Sequence, residues 1–358
     1  MGRRGGGLLV QCRARSRGRR GSSWSPTEDS PATPSGRAPS QSRSSRRRRP
    51  WKDDPVSDPV VVAVISSFRP SLALVHRYTA LVGQVSAVVV ADDGSGPDAE
   101  AVLSRLEALG AHVIRRGSND GIAVTLNEGI AWAREYHAEF VLTLDQDTDL
   151  EPGYVDHLLD TAHEARRAGL PVGTVSYARQ NQRPVALSGA ERGFGLAYDP
   201  MQSGLLIPAS TLDAVGALRD DLFIDWVDTE FNERVRAAGL FTLVAAGTNL
   251  EHSLGSMRPL TILGRPLSRA GRQLSIAYHP PFRTYYIARN GVLVARESFR
   301  RAPGWTFSRL GHDVVGHLAR VALGPQRGKH VLALARGTAD GVRGRTGKLP
   351  GHLQRRLT

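Results

Sequence analysis

The strongest constraint on the fold is an alternation of wholly apolar segments with amphipathic ones between residues 59 and 150. Residues 60–65 form a run of Val, Ala and Ile, and residues 87–91 and 140–144 are similar. Such runs are typical of strands that are buried on both faces of a parallel sheet. The segments between them have helical Leu and Ala spacing, as in 122–136. The pattern predicts an α/β fold with a mostly parallel sheet flanked by helices.

Charge divides the chain, whose formal net charge is +13, into three parts. Residues 1–54 are rich in Arg, Ser, Gly and Pro and carry 14 basic and 4 acidic side chains; residues 283–358 carry 15 basic and 3 acidic ones. The centre, 55–282, is therefore acidic. We expect a disordered basic arm over 1–54, one α/β domain over 55–284, and a basic amphipathic helical region over 285–358.

Several classes of protein are excluded by simple counts. The single cysteine, Cys12, excludes a disulfide framework and a cysteine-based zinc site, and it favours a reducing compartment. The sequence contains neither an apolar stretch that would span a bilayer nor the apolar core of a secretory signal. The basic arm lacks the interleaved aromatics that stacking on nucleic-acid bases would need, so nucleic-acid binding is not expected. Its composition also resembles that of an organelle transit peptide.

The densest acidic motif directly follows the segment 140–144. Asp145 and Asp147 lie one residue apart, and two carboxylates at a strand end can face the same point. Carboxylate oxygens suit Mg²⁺ or Mn²⁺, especially where substrate phosphates complete the coordination shell. The alternative is a helix N-terminus with surplus acid.

Three further motifs carry residues that could catalyse, ligate a metal or bind a nucleoside. Asp225 and Asp228 precede a predicted helix, where Asp228 is either an N-terminal cap or a base that deprotonates an alcohol. His252 is either structural or a third metal ligand. Asp92 and Asp93 end a predicted strand and could hydrogen-bond a ribose or a base. The glycines after them lack the third glycine of the dinucleotide-binding fingerprint.

As a set, these motifs resemble glycosyltransferase family 2, and within it the bacterial rhamnosyltransferases, over roughly residues 59–300. The segments that carry the resemblance are 64–70, 89–95, 119–127, 144–148, 203–204, 223–230 and 252–255. The resemblance implies a GT-A fold, in which a Rossmann-like nucleotide-binding half adjoins an acceptor half. It also implies inverting transfer from a nucleotide sugar with Mg²⁺ or Mn²⁺ as cofactor.

The resemblance assigns roles to residues of this sequence. The nucleotide-sugar contacts would be Phe68, Asp92, Asp93, Asn119 and Asp145. The metal ligands would be Asp145, Asp147 and His252, and the catalytic base would be Asp228. Asp225 leaves the assignment of the base open.

The resemblance also implies substrates and a location. The favoured donor is dTDP-L-rhamnose, and the acceptor is a hydroxyl of a cell-surface glycan or a lipid-linked molecule. Residues 305–323 interleave apolar residues with Arg309 and Arg320. That pattern predicts either a helix on an anionic membrane, at the cytoplasmic face of the plasma membrane, or a helix packed under the domain. The alternatives are a different nucleotide sugar or a non-catalytic binding protein. A nucleotidylyltransferase would need a Gly-rich phosphate loop, and residues 66–70 do not supply one.

Overall fold

The first half of the domain is a parallel α/β unit. The computed structural model describes residues 58–252, 257–259, 261–262, 265–266, 268–269, 272–277, 279–323 and 325–358. Its first strands are β1 (Val61–Ser67), β2 (Ala87–Asp92), β3 (His112–Arg115) and β4 (Phe140–Asp145). Helices α1 (Ala73–Leu81), α2 (Glu100–Ala108) and α3 (Ile122–Glu135) connect them. The strands lie in the order β3-β2-β1-β4, all parallel, which confirms the prediction from the apolar runs.

Strand β1 shows why these runs are wholly apolar. Ala63 and Ile65 belong to a core that is completed by α1 and α2, whereas Val62 and Val64 belong to the opposite core with α3. Each of these side chains is at most 2% exposed. Burying an aliphatic side chain contributes about 1.5–3 kcal/mol, so both faces of the strand hold the helices in place.

The second half extends the same sheet with mixed pairing. Its elements are β5 (Thr148–Leu150), α4 (Tyr154–Arg167), β6 (Val172–Gln180), β7 (Arg183–Pro184), β8 (Leu187–Glu191), β9 (Phe194–Ala197), β10 (Leu205–Pro208), α5 (Ala209–Val215), α6 (Val227–Ala237) and β11 (Phe241–His252). Beyond β4 the order is β10-β6-β11-β9-β8, and β10 is antiparallel to both of its neighbours. Short 3₁₀ turns lie at Val82–Gln84, Pro97–Ala99 and Asp220–Leu222.

Three short strand pairs follow. They are β12 (Met257–Pro259) with β17 (Ser275–Ala277), β13 (Thr261–Ile262) with β14 (Arg265–Pro266), and β15 (Ser268–Arg269) with β16 (Arg272–Gln273). The arm over 1–54 and Cys12 lie outside the described residues.

The C-terminal region is helical, as predicted. It contains α7 (Pro281–Ser298), α8 (Pro303–Leu323), α9 (Arg327–Val342) and α10 (Gly351–Leu357). Helices α7 and α9 approach closely at Gly337 and Gly341. A Cβ at Gly337 would lie 2.4 Å from the carbonyl oxygen of Tyr285, and one at Gly341 would lie 2.6 Å from that of Arg289. None of the described helices is both long and apolar enough to cross a bilayer.

Candidate functional site

Strand pairing brings two carboxylates and an imidazole together. Strand β4 ends at Asp145, a two-residue turn holds Asp147, and β5 begins at Thr148. β5 pairs with the end of β11, and this pairing places His252 opposite Thr148. One ligand atom from each of Asp145, Asp147 and His252 lies within 4.8 Å of the others. The structure thus brings together the three residues that were predicted from the sequence to be metal ligands.

Hydrogen bonds orient this cluster. His252 Nε2 lies 3.9 Å from Asp145 Oδ2, and His252 Nδ1 lies 3.5 Å from Asp147 Oδ1. The Thr148 hydroxyl lies 3.1 Å from His252 Nδ1 and 2.6 Å from the Ser203 hydroxyl. Such outer partners fix the orientation of a ligating imidazole.

The Asp145 carboxyl lies in an environment that favours a cation. Burial, together with the nearby Asp147 carboxylate, raises the pKa of Asp145 to about 6. Gln202 Nε2 donates to Asp145 Oδ1 at 2.6 Å, and the Asp145 N–H donates to the Ser203 hydroxyl at 2.9 Å. Two carboxylates and one imidazole are ligands that suit Mg²⁺ or Mn²⁺, and a cation would offset their repulsion. The residues present therefore fit a divalent metal ion.

A cavity of about 990 Å³ connects the cluster to Asp228 at the start of α6. Asp228 Oδ1 accepts the N–H of Thr229 at 2.8 Å. Among the described residues, none forms an ion pair with Asp228. Burial, and after it the charge of Asp199, raises the pKa of Asp228 to about 6. A carboxylate with a raised pKa facing a cavity is suited to accept a proton.

Asp225 lies in the same cavity but is neutralised. Arg283 Nη2 lies 2.5 Å from Asp225 Oδ1, and Arg283 Nε donates to Asp225 Oδ2 at 3.2 Å. Asp225 is thus held in a two-point ion pair, whereas the one hydrogen-bond donor to Asp228 among the described residues is the backbone N–H of Thr229. The difference favours Asp228 over Asp225 as the proton acceptor.

The backbone before α6 is strained. Phe223, Asp225 and Trp226 have φ values of +66°, +62° and +67°, which side chains other than glycine rarely adopt. The side-chain amide of Asn290 donates to the carbonyls of residues 222, 224 and 225, each at 2.9 Å. Gly121 also belongs to this support, since a Cβ there would lie 2.3 Å from the Phe223 carbonyl oxygen. Strain of this kind collects at functional sites, where the surroundings enforce it.

One ion network in the cavity was not predicted from the sequence. Arg309 Nε lies 3.2 Å from Asp199 Oδ2, and Arg309 Nη1 lies 2.6 Å from Asp313. Asp199 also accepts the Thr229 hydroxyl at 2.9 Å. Asp199 lies in a loop without a recognisable motif.

The basic residues of α8 are placed differently from the membrane-facing prediction. Arg309 and Arg320 line the cavity, and His317 is 5% exposed. The side of this helix that carries Arg309 and Arg320 therefore points into the protein. Arg309 forms ion pairs there with Asp199 and Asp313. A surface contact of α8 cannot use these side chains.

Of the predicted nucleotide contacts, Asp145 lines the cavity, whereas Phe68, Asp92, Asp93 and Asn119 are not among its lining residues. Phe68 is 39% exposed, and its backbone N–H donates to the Gln146 amide at 2.9 Å. Asp92 accepts from Ser95 and is 3% exposed. Binding of a nucleoside by Phe68 and Asp92 stays a prediction.

Asp93 anchors a loop from the inside. Its carboxylate accepts the Asn119 amide at 2.9 Å and the backbone N–H groups of Asp120 and Gly121 at 2.8 and 3.0 Å. Asp93 is 4% exposed. Its contacts therefore hold the loop that begins α3, and any role of Asp93 or Asn119 in nucleoside binding stays a prediction.

Comparison with known proteins identifies the domain that carries the cluster. Residues 64–202 match the family model for glycosyl transferase family 2. Over these residues the chain is similar to glycosyl transferase family 2. It is 27% identical over 309 residues to the dTDP-rhamnosyl transferase RfbF of Shigella flexneri, a match that covers 80% of this chain and 97% of that protein. The protein is a glycosyltransferase similar to bacterial rhamnosyltransferases.

Solved structures of glycosyltransferases are also similar to this one. S. aureus TarS residues 1–349, in complex with UDP-GlcNAc, is 13% identical with a TM-score of 0.44, over 80% of this chain and 92% of that one. GalNAc-T7 with UDP, GalNAc and Mn²⁺ is 9% identical with a TM-score of 0.49, over 80% of this chain and 56% of that one. With TM-scores below 0.5, these likenesses say nothing about the function of the glycosyltransferase.

Proposed function

We propose that this glycosyltransferase is metal-dependent and inverting, and that it moves L-rhamnose from dTDP-L-rhamnose onto a hydroxyl group. The observation that carries the proposal is that Asp145, Asp147, His252 and Asp228 line one cavity, and that Asp145 and Asp147 lie in the segment that matches glycosyl transferase family 2. The donor is proposed because of the similarity to the dTDP-rhamnosyl transferase of Shigella flexneri.

Asp145, Asp147 and His252 would hold Mg²⁺ or Mn²⁺, with Asp147 the more exposed ligand. When bound, the ion stabilises the negative charge that grows on the departing diphosphate. Thr148 and Ser203 keep the imidazole and the Asp145 backbone in place through the bonds described above. We propose that Phe68, Asp92, Asp93 and Asn119 position the nucleoside at the sheet edge.

Asp228 acts as the base in this proposal. Its carboxylate accepts the proton of the acceptor hydroxyl as the oxygen attacks the sugar carbon from the side opposite the diphosphate. The leaving diphosphate needs no proton, so one carboxylate suffices, unlike in glycoside hydrolysis. The raised pKa of Asp228 makes it a stronger base than an ordinary aspartate.

We further propose that the acceptor is a glycan or a lipid-linked molecule and that the enzyme contacts an anionic membrane at the cytoplasmic face through the outer side of α8. Four apolar residues on one face of this helix are 54–68% exposed: Phe307, Val314, Val315 and Leu318. Exposed Arg300 and Arg301 lie just before the helix. Apolar side chains beside basic ones are typical of surfaces that bind anionic lipid.

The membrane contact is tested by sedimentation with phosphatidylglycerol vesicles. Val315→Asp should abolish binding, whereas Val331→Asp, at a 51% exposed position of α9, should not. Equal binding of both variants to these vesicles would contradict the contact. So would a dimer, detected by size-exclusion chromatography, that only Val315→Asp dissociates, because the face would then serve a second copy.

The donor and the metal are tested together by thermal shift. The full chain is screened against dTDP-L-rhamnose, UDP-GlcNAc and other nucleotide sugars, with Mn²⁺ or with EDTA. We expect the largest rise in Tm with dTDP-L-rhamnose and only with Mn²⁺, because a bound ligand stabilises the native state. A larger shift with another sugar would overturn the donor, and equal shifts in EDTA would overturn the metal.

A further inference from the structure

A group of basic side chains lies on the wall of the cavity that α7 and α8 form. His279, Arg283 and Arg320 line the cavity. His317 lies one turn before Arg320 on α8 and is 5% exposed. His279 is close enough to Arg283, Arg320 and His317 that their charges act on it. This wall adjoins the carboxylates of the site but contributes none of the proposed metal ligands.

The cations of the cavity differ in how they are paired. Arg283 is bound by Asp225, and Arg309 is bound by Asp199 and Asp313. No ion pair within the described part of the chain includes Arg320. Burial lowers the pKa of Arg320, and the charges of Asp313 and Asp225 offset this effect only in part.

The wall also contains buried nitrogen atoms without partners. Both ring nitrogens of His317, Nδ1 of His279 and Nε of Arg320 are inaccessible to solvent and form no hydrogen bond with the residues that the structure describes. Buried polar atoms are normally hydrogen-bonded, so each exception requires an explanation. These side chains would have to turn before a ligand could reach the nitrogens, and acceptor oxygens would then pair with the N–H groups among them; a neutral imidazole offers one donor and one acceptor.

The chain makes room for the Arg320 guanidinium. Its Nη1 and Cζ would lie 3.2 and 3.7 Å from a Cβ at Gly316, so the guanidinium folds back over the preceding turn of α8. Any side chain at position 316 would crowd it. The glycine therefore leaves the head group of Arg320 beside the cavity wall.

We infer that Arg320, His317 and His279 form an anion subsite that takes a phosphate group of a substrate bound in the cavity. The subsite is separate from the Asp145, Asp147 and His252 cluster and rests on the proposed function, which places phosphate-bearing substrates here. The phosphate belongs either to the nucleotide-sugar donor or to a phosphate-bearing acceptor. Guanidinium and imidazole N–H groups are well suited to bind phosphate oxygens.

The subsite is tested by isothermal titration of the full chain with inorganic pyrophosphate in EDTA, so that no divalent metal contributes. Arg320→Gln should weaken binding at least about tenfold, the size of a lost charged hydrogen bond. Arg336→Gln, which removes an exposed cation of α9, should change binding less than about twofold, since it removes only a screened surface charge. Arg320→Lys should lie between wild type and Arg320→Gln.

A second variant covers the case in which Arg320→Gln does not fold. Gly316→Ala keeps every charge but crowds the guanidinium, and it should weaken pyrophosphate binding severalfold. The subsite is refuted if wild type does not bind pyrophosphate in EDTA, if folded Arg320→Gln or Gly316→Ala binds it as wild type does, or if Arg336→Gln loses as much affinity.

Steady-state kinetics distinguish the two sources of phosphate. A rise in KM for the nucleotide sugar alone in Arg320→Gln assigns the subsite to the donor, and a rise for a phosphate-bearing acceptor alone assigns it to the acceptor. Pyrophosphate binding does not depend on transfer. A chain that binds pyrophosphate through Arg320 but transfers no sugar would therefore refute the proposed function and keep the subsite.

Discussion

The acidic residues at the end of β2 and those that line the cavity are held in opposite ways. Asp92 and Asp93, after β2, are buried and accept hydrogen bonds from backbone N–H groups, hydroxyls and an amide. Asp145, at the end of β4, and Asp228, in α6, are less well satisfied, and burial raises the pKa of both to about 6. The first pair holds loops through these hydrogen bonds. The carboxylates of the second pair can still bind a cation or accept a proton, as the groups of a catalytic site must.

The largest effect should come from removing the proposed base. Asp228→Asn should lower kcat about 10²–10⁴-fold, the range that general base catalysis contributes, while donor affinity stays within about twofold. Asp225→Asn, the matched variant, should lower kcat far less, because that carboxylate is already paired with Arg283. Initial rates and donor titration check both. The comparison fails if Asp225→Asn abolishes transfer and Asp228→Asn does not.

A smaller effect should follow from releasing the strained backbone before α6. Asn290→Ala removes the donor that three carbonyls share, and kcat should fall about tenfold because a displacement of about 1 Å is costly in a positioned site. Asn127→Ala is the control: it removes two hydrogen bonds to Leu218 without touching the strained segment. We expect it to lower stability but leave the kcat of the folded enzyme unchanged. Equal kcat values for the two variants would show that the hydrogen bonds from Asn290 have only a structural role.

Removing an anchored carboxylate should change stability and not metal binding. Asp93→Asn should lower the free energy of unfolding by about 1–3 kcal/mol, since buried N–H groups lose a charged acceptor. Urea denaturation measures this change. The Mn²⁺ affinity of the folded variant should match wild type, because Asp93 lies outside the cavity. Weakened Mn²⁺ binding in the folded variant would remove the distinction between the two pairs of acids.

The smallest effect is a dependence of stability on pH. The pKa of Asp228 is raised from 3.8 to about 6, so its stabilising contribution is complete below pH 3.8 and is lost as pH rises through 6. Asp228→Asn cannot ionise. Relative to this variant, wild type should lose a few degrees of Tm between pH 4 and pH 7, measured in EDTA. A constant difference across that range would mean that the Asp228 carboxyl is not strained when ionised.

Local patterns predicted the parallel half of the fold well. Strands β1, β2 and β4 are continuous apolar runs, and burial on both faces makes such runs visible in the sequence. The acids at their ends were visible for the same reason, since an aspartate interrupts the run. The end of β11 was not predicted, because residues 246 and 247 are exposed and Gly247 has a φ of +80°.

Contacts between segments that are far apart in the chain could not be predicted from the sequence. Arg309 is 110 residues from Asp199, and Arg283 is 58 residues from Asp225. No spacing within either segment indicates that these residues meet. The inward orientation of Arg309 and Arg320 depends on how α8 packs, and it reverses the face that the helical pattern alone would assign to solvent.

The most direct test of the central claim is Mn²⁺ binding, measured by isothermal titration on the full chain. We expect wild type to bind one ion and Asp147→Ala to bind at least about 100-fold more weakly, since loss of a ligand should cost no less than loss of an outer partner. Asp149→Ala, two residues away in an exposed ion pair with Arg77, should bind as wild type does. If Asp147→Ala bound Mn²⁺ with wild-type affinity, the cluster would not be the metal site.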